Sequence, residues 1–298
     1  MADENRRQFA LEELAPVFQA QERLGHSCIL MGGQSVCHWA RRFLDSEPAL
    51  RELEREAPLL SKDVDFQGDR GAAIAFARAL GRHAEVPDFR HAFGNLMAGK
   101  FSFPVGGAEL NVEVLRKVPG LTPNLVIQLS TLEQSGAVVI RVLNPVGVVM
   151  AKAWNVVNIT KEGRHDFEQL LIATVCLRAF FRSLFQYAEQ VPPALRPGLK
   201  LVETALRFTE LPAGRKAAEK CGVDWSQILP HNFIAASTRP ELVRLREKRL
   251  PGWLAHLARY RRAVPGSETH RKMLAILARH AEPLCVRSEF RVPRSALP

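Results

Sequence analysis

Asp63 and Asp65, in Ser61-Lys62-Asp63-Val64-Asp65-Phe66, are two carboxylates whose spacing suits metal chemistry. Successive strand side chains point to opposite faces, so on a strand these two acids project together while Val64 and Phe66 take the other face. Desolvating a like-charged pair without compensation is costly, and hard oxygen ligands select magnesium or manganese as the compensating charge. Upstream, the apolar run Cys28-Ile29-Leu30-Met31 leads into Gly32-Gly33-Gln34-Ser35. Glycines between a strand and a helix permit a tight turn whose backbone N–H groups, at the positive helix end, can approach a phosphate closely. A third acid, Glu113, alternates with Leu110, Val112 and Val114, and it faces the aspartate pair if its strand lies beside theirs. Taken singly, an Asp-x-Asp pair also marks a solvated strand edge, and Gly-Gly after an apolar run also marks an ordinary turn. Their order, with a third acidic strand downstream, is what points to chemistry.

The elements that must position these groups can be read from hydrophobic period. Residues 5–24 space Phe9, Leu11, Leu14, Val17 and Phe18 as an N-terminal amphipathic helix, which leads into a first strand at about 27–31. The following helix places Val36, Trp39, Ala40, Phe43 and Leu44 on one stripe, with Trp39 a core residue. Residues 46–58 read as a short charged helix with Ser46 as cap, Pro48 in its first turn and a solvated charged face. An Ala-rich helix over 69–81 ends at a glycine. Strands 101–105 and 109–115 flank Gly106-Gly107 as a hairpin, and further strands are expected at 125–129 and 137–142. From Asn144 the pattern turns helical and stays so: 145–157, a long apolar helix over 166–187, then 197–208, 213–222, 240–250, 253–262 and 268–280. The tail 292–298 is expected to fray. The prediction is a mixed α/β domain over 1–143 followed by an all-helical domain over 144–298.

Length and composition agree with two folded domains: 298 residues, 47% of them hydrophobic. No uninterrupted apolar run of about 18 residues occurs and the first residues are charged, so a cytoplasmic protein without a membrane span is expected. The five cysteines are scattered, with no Cys-x-x-Cys, which argues against a disulfide framework or a zinc site and leaves buried thiols. The net charge of +10 is uneven. Residues 1–150 hold 16 Lys and Arg against 18 Asp and Glu, a net of −2, whereas residues 151–298 hold 25 against 13, a net of +12. Such asymmetry fits a polyanion held by one domain and processed by the other, or equally a solvated basic helical surface.

With Gly32-Gly33, the Asp63/Asp65 pair and Glu113 on successive elements, the chain resembles the nucleotidyltransferase fold of the DNA polymerase β superfamily. That family runs a hydrophobic stretch into Gly-Gly or Gly-Ser, then two acids one residue apart, then a third acidic strand. Gly32-Gly33-Gln34-Ser35-Val36, Ser61-Lys62-Asp63-Val64-Asp65, Pro145 to Lys152, and Gly163-Arg164-His165-Asp166-Phe167-Glu168-Gln169 look like the AbiEii-type toxins and related minimal nucleotidyltransferases. The match spans about 27–177. It implies a nucleotidyltransferase-fold mixed sheet flanked by helices, a nucleoside triphosphate substrate, and an acceptor on RNA, such as tRNA, or on a protein side chain. It also implies a toxin role with an antitoxin partner. By this resemblance Lys152 contacts the nucleotide phosphates and Asp166 lies in or beside the active centre. The sequence departs from the family at Gln169, where a second acid is common, and at Glu113, where aspartate is commoner.

Nucleotidyl transfer consists mostly of positioning and of neutralising developing negative charge, and two cations about 3.5–4 Å apart can serve both the attacking hydroxyl and the leaving pyrophosphate. On that chemistry Asp63 and Asp65 bind the cations that hold the triphosphate. Glu113 serves the cation nearest the hydroxyl and assists as general base. Gly32, Gly33 and Ser35 meet the phosphates, and Lys152 neutralises their charge. Two competing readings stand: Lys152 as an exposed helix lysine, and Asp166 as a helix-start acid favoured by the dipole. A catalytically idle module of the same fold that binds RNA or a partner protein is the alternative. His165-Asp166 is also similar to the His-Asp doublet of metal-dependent phosphohydrolases, but the remaining histidines lack that family's spacing. For the acceptor, 240–262 interleaves Arg244, Arg246, Lys248, Arg249, Arg259, Arg261 and Arg262 with Trp253 and Tyr260. That pattern suits an RNA backbone with base stacking, or a pair of packing helices with a basic outer face.

Overall fold

A computed structural model describes residues 7–88, 96–159, 165–260 and 267–286. Among them two compact units form: 7–42, 58–88 and 96–152 make one, and 43–57, 153–159, 165–260 and 267–286 make the other. The partition falls inside a helix, Pro145–Asn158, and not ahead of it. The charged segment expected to precede the second strand groups with the helical unit.

The first unit is built on a six-stranded mixed sheet. Its strands are β1 (Ile29–Met31), β2 (Asp63–Gln67), β3 (Met97–Val105), β4 (Ala108–Leu115), β5 (Ser130–Ser135) and β6 (Val138–Leu143), in the spatial order β3-β4-β2-β1-β6-β5. β1 runs antiparallel to β2 and parallel to β6, and β2 runs parallel to β4. Val64, Phe66, Leu110, Val112 and Val114 are fully buried. Phe66 stacks edge-on against Phe76 of helix α4 (Arg70–Ala79), with ring centroids 4.8 Å apart, and Phe76 meets Phe101 at 5.8 Å. Helix α1 (Ala15–Arg23) packs on β6 and on α4. Because side chains alternate, this apolar side leaves Asp63, Asp65, Asn111 and Glu113 on the opposite face.

Helix α2 (Gly32–Phe43) starts directly after β1, and its Trp39 is buried, with the indole N–H donating to the Leu143 carbonyl oxygen at 2.9 Å. Gln21 of α1, also buried, spans two strand ends by donating to the carbonyls of Cys28 (2.9 Å) and Arg141 (2.8 Å). The β3–β4 turn has both glycines at positive φ, Gly106 at 54° and Gly107 at 80°, as a two-residue hairpin of the right-handed twist requires. Asp69 caps α4, its carboxylate accepting from the Ala72 N–H at 2.7 Å. Asp69→Ala is expected to cost about 1 kcal/mol, read as a fall of about 3 °C in the melting midpoint.

One expected strand needs correction. Residues 125–129 are not a strand: Pro123–Gln128 form helix α5, because Thr122 caps it by accepting from the Leu125 N–H (3.4 Å) and Pro123 fits its first turn. The strand instead follows it as β5, whose polar Ser-Thr-Leu-Glu-Gln-Ser sequence carries no alternation because β5 lies at the sheet edge, with Leu132 56% exposed.

The second unit is helical. After α3 (Pro48–Glu56) and the end of α6 (Pro145–Asn158), it comprises α7 (Asp166–Gln190), α8 (Leu195–Glu210), α9 (Pro212–Cys221), α10 (His231–Ala236), α11 (Pro240–Arg244), one π-helical turn (Leu245–Arg249), α12 (Leu250–Leu257) and α13 (Glu268–Arg279). By length and composition α7 could cross a bilayer; 72% of its apolar stretch is buried here, as in the core helix of a folded domain. Ser46 is not the cap of α3. That position is Glu47, and the Ser46 hydroxyl donates to the Phe43 carbonyl at 3.2 Å. Nor is α3 merely a solvated charged face. Glu47 is buried against Arg178 and Arg182 of α7, and Glu52 accepts from Arg279 (2.6 Å) and lies 2.7 Å from His280 Nε2. The five cysteines are all buried free thiols. The expected fraying of 292–298 concerns residues outside those described.

Candidate active site

β1 ends where Gly32 takes a φ of +69°, the left-handed region that disfavours any Cβ. A Cβ added there would overlap Asp65 Oδ2 and lie 2.8 Å from Asp65 Cγ and 2.9 Å from its Cβ, so the glycine turn is seated directly on the Asp65 carboxylate. The Ser35 hydroxyl donates back to the Gly32 carbonyl at 2.8 Å, which closes the first turn of α2. Ser35 itself is buried. It therefore holds the turn's shape, whereas backbone N–H groups are what the turn has to offer a phosphate.

Strand register brings the acids together. Asp65 is the Cα partner of Met31 on one side and of Glu113 on the other, and Asp63 is the partner of Asn111. Side chains directly opposite on neighbouring strands have Cβ atoms roughly 5 Å apart. Asp65 and Glu113 therefore form one acidic ledge beside the glycine turn, with Asp63 two residues along. Asp63 Oδ1 accepts from Asn111 Nδ2 at 3.1 Å, and Asn111 Oδ1 accepts from the Ser102 hydroxyl at 3.2 Å. Sequence reasoning missed both of these polar residues. By period Asn111, between Leu110 and Val112, is only an outward member of an alternating strand, and the signal that singles it out is its register, two residues before Glu113 and opposite Asp63.

These donors fit a hard cation. Magnesium keeps several waters and is held by one or two carboxylates together with substrate phosphates, not by an all-protein cage. Among the described residues no three His, Cys, Asp or Glu side chains are gathered tightly enough to enclose a metal on their own. An open ledge of Asp65 and Glu113, with Asp63 alongside, would share its cations with a triphosphate.

Comparison with known proteins adds a distant likeness. A crystal structure described as an antigenic nucleotidyltransferase-like protein from Paracoccidioides brasiliensis is similar to this chain, with a TM-score of 0.37 and 14% identity, over 64% of this chain and 95% of that one. No protein-family model matches the sequence, and no curated protein matches it.

Lys152, on α6, is 5% exposed, so it is not a solvated helix lysine. Burial pushes the Cys37 thiol of α2 up to about 12, and the positive charge of Lys152 acts on that sulfur in the opposite direction. The ammonium thus lies near the helix that opens with the glycine turn. His38, the next residue on α2, is buried, and desolvation assisted by Arg42 lowers its pKa to about 4. It is neutral at neutral pH. Asp166 belongs to the helical unit, where it is the first residue of α7, is buried, and accepts from Asn155 Nδ2 at 3.3 Å.

Of the two readings of the basic segment, its described part, 240–260, fits packing helices and not a stacking surface. Trp253 is fully buried and its indole N–H donates to Thr209 Oγ1 at 2.9 Å, while the Tyr260 hydroxyl donates to the Thr209 carbonyl at 2.6 Å. Arg249 is bound bidentately to Glu210 at 2.9 Å, and Arg246 donates to the Ala235 carbonyl at 2.8 Å. Arg244 and Lys248 remain exposed and line a groove of about 400 Å³ with Leu199, Glu203 and Glu241. Arg261 and Arg262 lie outside the described residues.

Proposed function

We propose that this chain is a divalent-cation-dependent nucleotidyltransferase that moves a nucleoside monophosphate from a nucleoside triphosphate to an acceptor hydroxyl. The observation that carries the reading is the seating of Gly32 on the Asp65 carboxylate, with Glu113 in register beside it. The cations, Mg²⁺ or Mn²⁺, neutralise the triphosphate and the leaving group when bound. Asp63 and Asp65 would hold them on the triphosphate side and Glu113 on the hydroxyl side, where it would also take the hydroxyl proton. The acceptor oxygen forms its bond to the α-phosphorus as the bond from that phosphorus to the bridging oxygen breaks, and pyrophosphate leaves. The N–H groups opening α2 would meet phosphate oxygens, and Lys152 would add positive charge close by.

The sheet-bearing unit would carry the chemistry and the helical unit the acceptor. Of the acceptors that suit this chemistry, an RNA end is favoured by the basic second half, through phosphate contacts such as Arg244 and Lys248 and not through stacking. Incubating the chain with Mg²⁺, total RNA and protein lysate, and with NTPs labelled at either the α- or the γ-phosphate, tests this directly. Label is expected to pass to RNA from the α-position only and to fall about 100- to 1,000-fold in Asp65→Asn. Transfer to protein alone would move the acceptor to a side-chain hydroxyl. RNA binding without transfer by the parent chain would establish an idle module instead. The toxin role is tested by expressing the chain in cells: growth arrest should be lost with Asp65→Asn.

A further inference from the structure

On three adjacent strands Ser102, Asn111 and Asp63 stand in a line: Ser102 is the register partner of Asn111, and Asn111 of Asp63. The Ser102 hydroxyl donates to Asn111 Oδ1 at 3.2 Å and Asn111 Nδ2 donates to Asp63 Oδ1 at 3.1 Å, so the bonds run in one direction across the sheet. We infer that Asn111 and Ser102 are positioning residues that fix the Asp63 carboxylate for cation binding. The inference rests on the transferase reading given above.

The physical reason lies in the freedom of each group. The terminal torsion of an aspartate is broad, and an asparagine amide can present either its oxygen or its nitrogen. Ser102 supplies a hydroxyl that can satisfy the asparagine oxygen, which turns the amide N–H₂ toward Asp63. With Oδ1 held by that N–H, Oδ2 is presented in one orientation. Carboxylates that ligate cations are commonly oriented by such outer partners, and loss of one typically costs about 10- to 100-fold in metal affinity or activity. An asparagine suits this position better than an aspartate would, because a carboxylate opposite Asp63 would repel it and could donate nothing when ionised. Ser102 is exposed on β3, a sheet-edge strand, so replacing it removes a hydroxyl without opening the core.

The test uses the full chain with Mn²⁺ as probe, its binding followed by electron paramagnetic resonance with a non-hydrolysable NTP analogue, alongside steady-state transfer kinetics. Asn111→Ala is expected to weaken Mn²⁺ binding about 10-fold or more and to lower kcat with little change in KM for the acceptor. Ser102→Ala should move both in the same direction by a smaller factor, and Ser102→Thr, which keeps the hydroxyl, should restore them. Should Asn111→Ala fail to fold, the Ser102→Ala and Ser102→Thr pair decides alone. Folded variants with parental Mn²⁺ affinity and turnover would overturn the positioning role while leaving the transferase reading intact. A parent chain that neither binds Mn²⁺ nor transfers label would overturn both.

Discussion

Gly32→Ala is expected to reduce nucleotidyl transfer at least about 100-fold while the helical unit keeps its fold, because a displacement near 1 Å at the reacting groups can cost that much. Two costs combine at this position. Alanine at a φ of +69° carries a left-handed backbone penalty of about 1–2 kcal/mol, and its Cβ would collide with the Asp65 carboxylate. The collision is relieved only by moving the carboxylate or opening the turn, and either separates the N–H groups that open α2 from the acid beside them. Gly81 provides the control, since its φ is +68° and a Cβ there meets nothing within 4 Å. Gly81→Ala should therefore show the backbone cost in a melting curve with transfer activity retained. Equal activity in the two variants would mean that the contact between Gly32 and Asp65 plays no part in the reaction.

Glu47→Ala should destabilise the helical unit by about 3–5 kcal/mol, the effect of stripping one partner from a buried ion pair. Glu47 is 2% exposed and its two oxygens are divided between Arg178, at 3.0 Å, and Arg182. Arg178 also donates to the His280 carbonyl at 3.1 Å, Arg182 to Glu282 at 2.7 Å, and Glu282 in turn accepts from the Asn232 N–H at 2.7 Å. Removing Glu47 leaves a buried guanidinium without its carboxylate, which is why the cost exceeds that of an exposed pair. The melting transition of this unit is expected to fall by about 10 °C. Glu52→Ala, which removes the half-exposed pairing of the same helix with Arg279 and His280, should lower it far less. Similar midpoints for both variants would show that the buried network contributes no more than a surface pair.

The parts of the site that were legible in the sequence are those fixed by local geometry. Strand alternation alone placed Asp63 and Asp65 on one face and Val64 and Phe66 on the other, as the burial along β2 shows. The glycine pair between an apolar strand and an amphipathic helix marked the turn. What the sequence did not disclose depends on register or on distant partners. Glu47 lies 131 residues from Arg178, so its charge looked like solvent-facing helix. Asn111 acquires its meaning only from standing opposite Asp63. Lys152 is buried because of what surrounds α6, which period cannot reveal. Trp253 fits both a stacking ring and a core ring by spacing, and burial settles it as core. The strand misplaced at 125–129 shows a short apolar run outweighing a stronger signal, the Thr122-Pro123 start of a helix. β5 escaped notice because an edge strand carries little of the alternation that burial imposes.

The most direct measurement is the position of Mn²⁺ in an anomalous difference map from crystals grown with a non-hydrolysable nucleoside triphosphate. Density is expected between the Asp65 and Glu113 carboxylates, with Asp63 beside it and the triphosphate over the N–H groups that open α2. A cation and triphosphate bound elsewhere on the chain, with these three carboxylates turned to solvent, would contradict the assignment of the site.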